Sequence, residues 1–200
     1  MQKIELLEEG HYYHIYNRGI NRENIFNTSR DYKVFLDRFQ EYVPAVVDVF
    51  SYSLLPNHFH SMVYVKKDVF VKKMEGNANM RLLASRQLGH CFNSYAQSFN
   101  RSYDRTGGLF QKPFKRKYVE DKNYFNTLVM YIHNNPKRHG FVDDFKEWTF
   151  TSYHEILSDE PTFLQRNEVL QWFGGKEAFI QLHEEYSKQK QEEDERWHIE

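Results

Sequence analysis

The chain has 200 residues, a formal net charge of -1, 40% hydrophobic and 17% aromatic residues. This length suits one domain, or one domain with an appendage, and the apolar content excludes disorder along the whole chain. Cys91 is the single cysteine, so an internal disulfide is excluded and a reducing, cytoplasmic setting is expected. No apolar run approaches the roughly 20 residues a membrane helix needs, and the first residues carry no secretory hydrophobic region. Charge is unevenly spread. From Lys176 to Glu200 there are 8 acidic and 4 basic residues, whereas Arg101 to Lys122 carries 7 basic and 3 acidic ones. A basic segment masked by an acidic tail is compatible with a polyanionic ligand.

In chain order, His11 to Tyr16 is rich in β-formers and predicts a first strand, with Asn17-Arg18-Gly19 as a turn. Tyr32, Phe35, Leu36, Phe39 and Val43 recur at helical spacing over Asp31 to Val43, ahead of Pro44. Val46 to Leu55 and His58 to Val65 read as strands joined through Pro56-Asn57 into an antiparallel hairpin. Lys66 to Asn79 is polar and predicts a loop or short helix. Leu82, Leu83, Leu88, Phe92, Tyr95 and Phe99 predict a long helix within Met80 to Tyr103, with a break at Gly89. Phe114 to Val119 reads as a fourth strand, with Lys115 and Lys117 on one face. Lys122 to Asn135 is helical, with a stripe of Tyr124, Phe125, Leu128, Val129 and Ile132, and Pro136 is expected to stop it. Helices follow at Asn167 to Phe173 and Lys176 to Lys190, with a frayed end at Gln191 to Glu200.

This order predicts an α+β fold: a ferredoxin-like β-α-β-β-α-β sandwich with an antiparallel sheet. To it are added a catalytic helix and a helical C-terminal extension. The expected division is a catalytic domain at 1–157 and an extension at 158–200.

The chemistry centres on Leu55-Pro56-Asn57-His58-Phe59-His60. Side chains alternate along a strand, so His58 and His60 share a face and Phe59 takes the other. Two imidazoles on one face can hold a metal ion. Tyr131 and Asn135 lie four residues apart, hence on one helical edge, and that edge is expected to face the sheet. Periodicity alone would make Tyr131 one more core aromatic, and Asn135 before Pro136 an ordinary helix-terminal residue. Combined, they give a divalent cation on His58, His60 and the Asn135 carboxamide, and a phenol able to attack a phosphodiester. Arg18, Arg101, Lys112, Lys115, Arg116 and Lys117, with Phe114 and Tyr118 among them, suit single-stranded nucleic acid: cations meet phosphates and rings stack on bases. His133 and His139 read as neighbours of the tyrosine rather than participants.

Leu55 to His60 resembles the HUH motif of single-tyrosine transposases. Tyr131 to Val142 (YIHNNPKRHGFV) resembles their tyrosine segment, especially in the REP-associated tyrosine transposase branch. Tyr13 to Gly19, Phe99-Asn100-Arg101 and Gly107 to Gln111 are similar to further parts of that branch. The likeness runs from about Gly10 to Leu157. It implies Tyr131 as nucleophile, His58 and His60 as metal ligands with Asn135 third, and Mg²⁺ or Mn²⁺ as the ion. It also implies hairpin-containing single-stranded DNA as substrate, a 5′-phosphotyrosine intermediate, and a monomer or homodimer. The alternatives are a domesticated metal-dependent single-stranded DNA endonuclease and a non-catalytic hairpin-binding module.

Overall fold

The computed structural model describes residues 6–72, 79–81, 83–121 and 124–197. The strands are β1 (Tyr12–Arg18), β2 (Val47–Leu55), β3 (His58–Val65), β4 (Phe70–Lys72), β5 (Asn79–Arg81) and β6 (Lys115–Val119). The helices are α1 (Ser29–Tyr42), α2 (Ala84–Ser102), α3 (Tyr124–Arg138), α4 (Tyr153–Leu157), α5 (Arg166–Phe173) and α6 (Lys176–Trp197). The main sheet has the order β2-β3-β1-β6 with every neighbour antiparallel. With α1 and α2 as crossovers, this is the ferredoxin-like arrangement expected from the sequence.

One face of the sheet packs on α1 and α2. Phe59 carries β3 into this layer and contacts the Phe35, Phe92 and Phe110 rings. Helix α1 starts where Asp31 Oδ2 accepts the backbone N–H groups of Asn27 and Thr28 at 2.9 and 2.8 Å, satisfying donors that a helix start leaves open. Tyr103 at the end of α2 donates to the same carboxylate at 2.7 Å, so one side chain ties both helices together. The other face is covered by α3 and the C-terminal helices, and Phe125, Val129, Val169, Phe173 and Phe179 join the same core.

The two sheet edges differ. Along β2, Leu54 N–H donates to Phe150 O (2.9 Å), Ser152 N–H to Tyr52 O (3.0 Å) and Gln165 N–H to Val49 O (2.8 Å), so later chain blocks that edge. On the opposite edge β6 presents the exposed cations Lys115 and Lys117.

Several boundaries depart from expectation. The segment Asn17-Arg18-Gly19 is not a turn: Gln111 N–H donates to Arg18 O at 2.9 Å and Gly19 N–H to Asn57 O at 2.9 Å, which keeps β1 extended to Arg18. Glycine is required at 19 because a Cβ would lie 2.1 Å from the Glu23 carbonyl oxygen. The polar stretch after Lys66 contains strand β4, which pairs with β5 at Asn79–Arg81, where Met80 and Arg81 were expected to be helical; 73–78 lies outside the described residues. Helix α2 starts at Ala84 and runs through Gly89, which has open space on its Cα side. Helix α6 runs to Trp197, through most of the stretch expected to fray after Lys190, whereas 198–200 and the expected start of α3 at 122–123 lie outside the described residues.

Pro136 does not stop α3, which continues to Arg138. Proline removes one N–H, but His139 N–H still reaches Asn135 O at 3.0 Å. The stop is Gly140, at φ 70°. There Gly140 N–H donates to Lys137 O at 2.9 Å and Phe141 N–H to Pro136 O at 3.0 Å, the paired bonds of a glycine-terminated helix.

Candidate active site

Register places the site. Across β1 and β3, Tyr16 faces His60 and Arg18 faces His58; across β1 and β6, His14 faces Lys117 and Tyr16 faces Lys115. Directly opposed residues share a sheet face. His14, Tyr16, Arg18, His58, His60, Lys115 and Lys117 therefore lie on the face that α3 crosses.

Both site histidines are buried, at 4% exposure for His58 and 8% for His60. His58 Nδ1 lies 2.5 Å from Asn57 Oδ1, which can only accept, so Nδ1 carries the proton. The Nε2 of His58 is then a lone-pair donor, buried and without a hydrogen-bond partner. His60 Nδ1 lies 2.9 Å from His14 Nε2, leaving the His60 Nε2 as its other nitrogen. The two rings stand 5.2 Å apart and nearly perpendicular.

Helix α3 supplies the second half. Asn135 is 1% exposed, its amide nitrogen points to the Tyr131 carbonyl oxygen at 3.5 Å, and its Oδ1 is buried without a partner. The carboxamide sits against His58, where it is the one influence raising that ring's pKa. Tyr131 is half-buried, with its ring 5.8 Å from His60 and 6.0 Å from His14. The Arg138 guanidinium lies over the Tyr131 ring at 5.1 Å.

These observations fit a divalent cation. Leaving a buried nitrogen and a buried amide oxygen unpaired costs roughly 1–3 kcal/mol each, and both are neutral donors of the kind such an ion takes. Among the described residues no three His, Cys, Asp or Glu side chains form a metal-holding group. The Asn135 amide oxygen, unpaired and against His58, is a further neutral donor on this side of the site.

Burial keeps the rings neutral. Desolvation is the largest cause lowering His58 to about 4, followed by the charges of His139 and Arg18. Desolvation likewise lowers His14 to about 4 and holds His60 well below the usual imidazole range, with His14 next in effect on His60. Neutral rings can ligate metal at physiological pH without first losing a proton. The same shifts predict acid sensitivity. Each folded-state pKa lies below the unfolded value, so the unfolded chain takes up protons first and stability falls as pH drops. For the rings at about 4, the loss develops between about 6.5 and 4 and reaches on the order of 3 kcal/mol each. Thermal unfolding of metal-free protein should show a flat midpoint above pH 7 and a steep decline below 6.5. A midpoint unchanged down to pH 4.5 would contradict neutral buried rings.

Of the basic residues named from sequence, Arg18, Lys115 and Lys117 share the site's face. Arg116 points to the other side and stacks over Phe114 at 3.9 Å. Arg101 and Lys112 are exposed, Arg101 on α2 and Lys112 in the loop before β6. Lys112 lines a groove of about 620 Å³ between α2 and the 107–114 loop, beside Asn93, Gln97, Asn100, Gln111 and Phe114. Sequence reading missed His14 and Arg138. It also discounted His139, whose ring lies 4.8 Å from His58 on the rim. The strand pairing that brings His14 to His60 is the signal that could have found it.

No family model matches the chain. A solved structure of a REP-associated tyrosine transposase bound to a REP hairpin shares the fold: TM-score 0.56, 14% identity, covering 80% of this chain and 88% of the other. A curated Haemophilus influenzae protein named as a REP-associated tyrosine transposase is 26% identical over 109 residues, 54% of this chain. This chain is related to the REP-associated tyrosine transposases. The match spans 59% of that relative's length. The sequence similarity and the shared fold agree with what the HUH-like and tyrosine segments resemble. No described helix is long and apolar enough to cross a membrane.

Proposed function

We propose that the protein nicks and rejoins single-stranded DNA carrying a hairpin, using Tyr131 as nucleophile. The observation that carries this reading is the His58 and His60 rings, 5.2 Å apart, with the unpaired Asn135 oxygen against His58 and the Tyr131 ring 5.8 Å from His60. The named relative and the hairpin-bound structure of similar fold support the DNA substrate. The same reading takes the protein to be cytoplasmic.

His58, His60 and Asn135 would hold Mg²⁺ or Mn²⁺, which polarises a phosphodiester and offsets charge in the transition state. His14 and Asn57 orient the two imidazoles by their Nδ1 bonds. Arg138 steadies the Tyr131 ring. The phenol oxygen attacks phosphorus and loses its proton. The bond from phosphorus to the upstream 3′ oxygen breaks, and that oxygen leaves as a free hydroxyl. The downstream strand stays attached through a 5′-phosphotyrosine. A 3′ hydroxyl of another strand can attack this link, restoring the phosphodiester and the free tyrosine. The number of phosphodiester-type bonds is conserved, which suits rejoining rather than degradation.

Arg18, Lys115 and Lys117 would meet the phosphates beside the site. Lys117→Ala should weaken hairpin binding uniformly across sequences and lower the salt-dependence slope by about one. A base-specific loss with an unchanged slope would contradict that role. The reaction itself is tested with hairpin strands labelled at either end, Mn²⁺ or Mg²⁺, and denaturing electrophoresis. The protein should retain the label of the 3′ segment only. Cutting with no retained label would mean a water nucleophile, and binding without cutting would favour the binding module.

A further inference from the structure

Tyr131 and His133 are two residues apart on α3, hence about 200° around the helix axis. While the Tyr131 ring lies against His14 and His60, His133 occupies a different side of the helix and is fully buried. It lies among Tyr153, Phe179 and His183, so the C-terminal helix α6 meets the back of the helix carrying the nucleophile.

The hydrogen bonds there run in one direction. His183 Nδ1 lies 2.7 Å from the Phe179 carbonyl oxygen, which only accepts, so His183 donates. Its Nε2 is then an acceptor, 2.9 Å from His133 Nδ1, which therefore donates. The remaining nitrogen, His133 Nε2, accepts from the Ser152 hydroxyl at 2.7 Å. Ser152 Oγ in turn accepts the Tyr52 backbone N–H at 2.9 Å. Every member is satisfied, and each imidazole has one tautomer that fits its partners. The chain ends on β2, which pairs with the histidine strand through Ser53 and His60.

We propose that this buried chain, from α6 through His133 and Ser152 to β2, positions α3 so that Tyr131 and Asn135 meet His58 and His60. Half the site lies on β3 and half on α3, and His133, Ser152 and His183 set the distance between the halves from behind. His183 and Ser152 are positioning residues and touch no substrate. The proposal rests on the reading of Tyr131 as nucleophile. It makes the C-terminal helix part of the catalytic apparatus.

The test uses the full chain with His183→Phe, His183→Gln and Ser152→Ala, read by adduct formation rate, hairpin affinity and Mn²⁺ affinity. His183→Phe fills the space but cannot accept from His133. It should slow adduct formation about 10- to 100-fold, the cost of a small misplacement at the reacting centre. Hairpin affinity should stay within about twofold and Mn²⁺ affinity should fall about fivefold. His183→Gln restores an acceptor and should recover most of the rate. Should His183→Phe fail to fold, Ser152→Ala, which removes one hydroxyl, carries the same comparison. An unchanged rate and Mn²⁺ affinity would overturn the proposal, as would rate and hairpin affinity falling together. If wild-type protein binds Mn²⁺ but forms no adduct, the nucleophile assignment fails and the Mn²⁺ arm still decides the positioning claim. If it does neither, both fall.

Discussion

Tyr131→Phe is expected to abolish the covalent protein–DNA adduct and strand joining while hairpin affinity stays within about twofold. The loss should be on the order of 10³-fold or more, because the substitution removes the attacking atom rather than an interaction that steadies it. The fold should tolerate it. Tyr131 is half-buried at the edge of the core, and its ring contacts with His14, His60 and Arg138 survive removal of the hydroxyl. Adduct yield on denaturing gels, beside a binding titration, checks this. Cutting at wild-type rate in the variant would transfer the nucleophile's role to water.

The second large effect belongs to the histidines. His60→Ala should reduce Mn²⁺ affinity and Mn²⁺-dependent cutting by more than about 100-fold, exceeding the 10- to 100-fold typical of residues behind a ligand. His14→Phe supplies that weaker comparison, since it leaves His60 in place and removes only the partner of its Nδ1. Asn135→Ala should resemble His60→Ala because it removes the buried oxygen that has no other partner. The ordering His60→Ala, Asn135→Ala, then His14→Phe in decreasing severity is measurable by Mn²⁺ titration. If His14→Phe proved the most damaging, the ligand set would have to include His14.

The parts of the site legible in the sequence are those set by local period. A strand's alternation of two puts His58 and His60 together and sends Phe59 to the opposite core. A helix's i,i+4 spacing puts Tyr131 and Asn135 on one edge. Arg138 escaped because Pro136 was expected to end the helix that carries it over Tyr131; the rest of what escaped depends on pairing between distant elements. His14 joins His60 only through the β1–β3 register, and His133 meets His183 only because α6 folds back on α3. Pro136 was misleading for a different reason: it removes one bond, but the next turn still closes through His139 N–H to Asn135 O, and Gly140, four residues later, supplies the stop. Likewise Gly89 carries a breaker's identity but sits in an α2 otherwise held by packing of Leu88 and Phe92. The fold order was readable because apolar periods mark each core element. The small β4–β5 pair, three residues per strand, carries too little pattern to announce itself.

The most direct measurement is mass spectrometry of the protein after incubation with a hairpin-bearing single strand and Mn²⁺. The account predicts a peptide containing Tyr131 that carries the 5′ phosphate of the cleaved strand, dependent on the metal and absent from Tyr131→Phe. A cleaved strand with every tyrosine unmodified, or a phosphodiester link on a different residue, would contradict it.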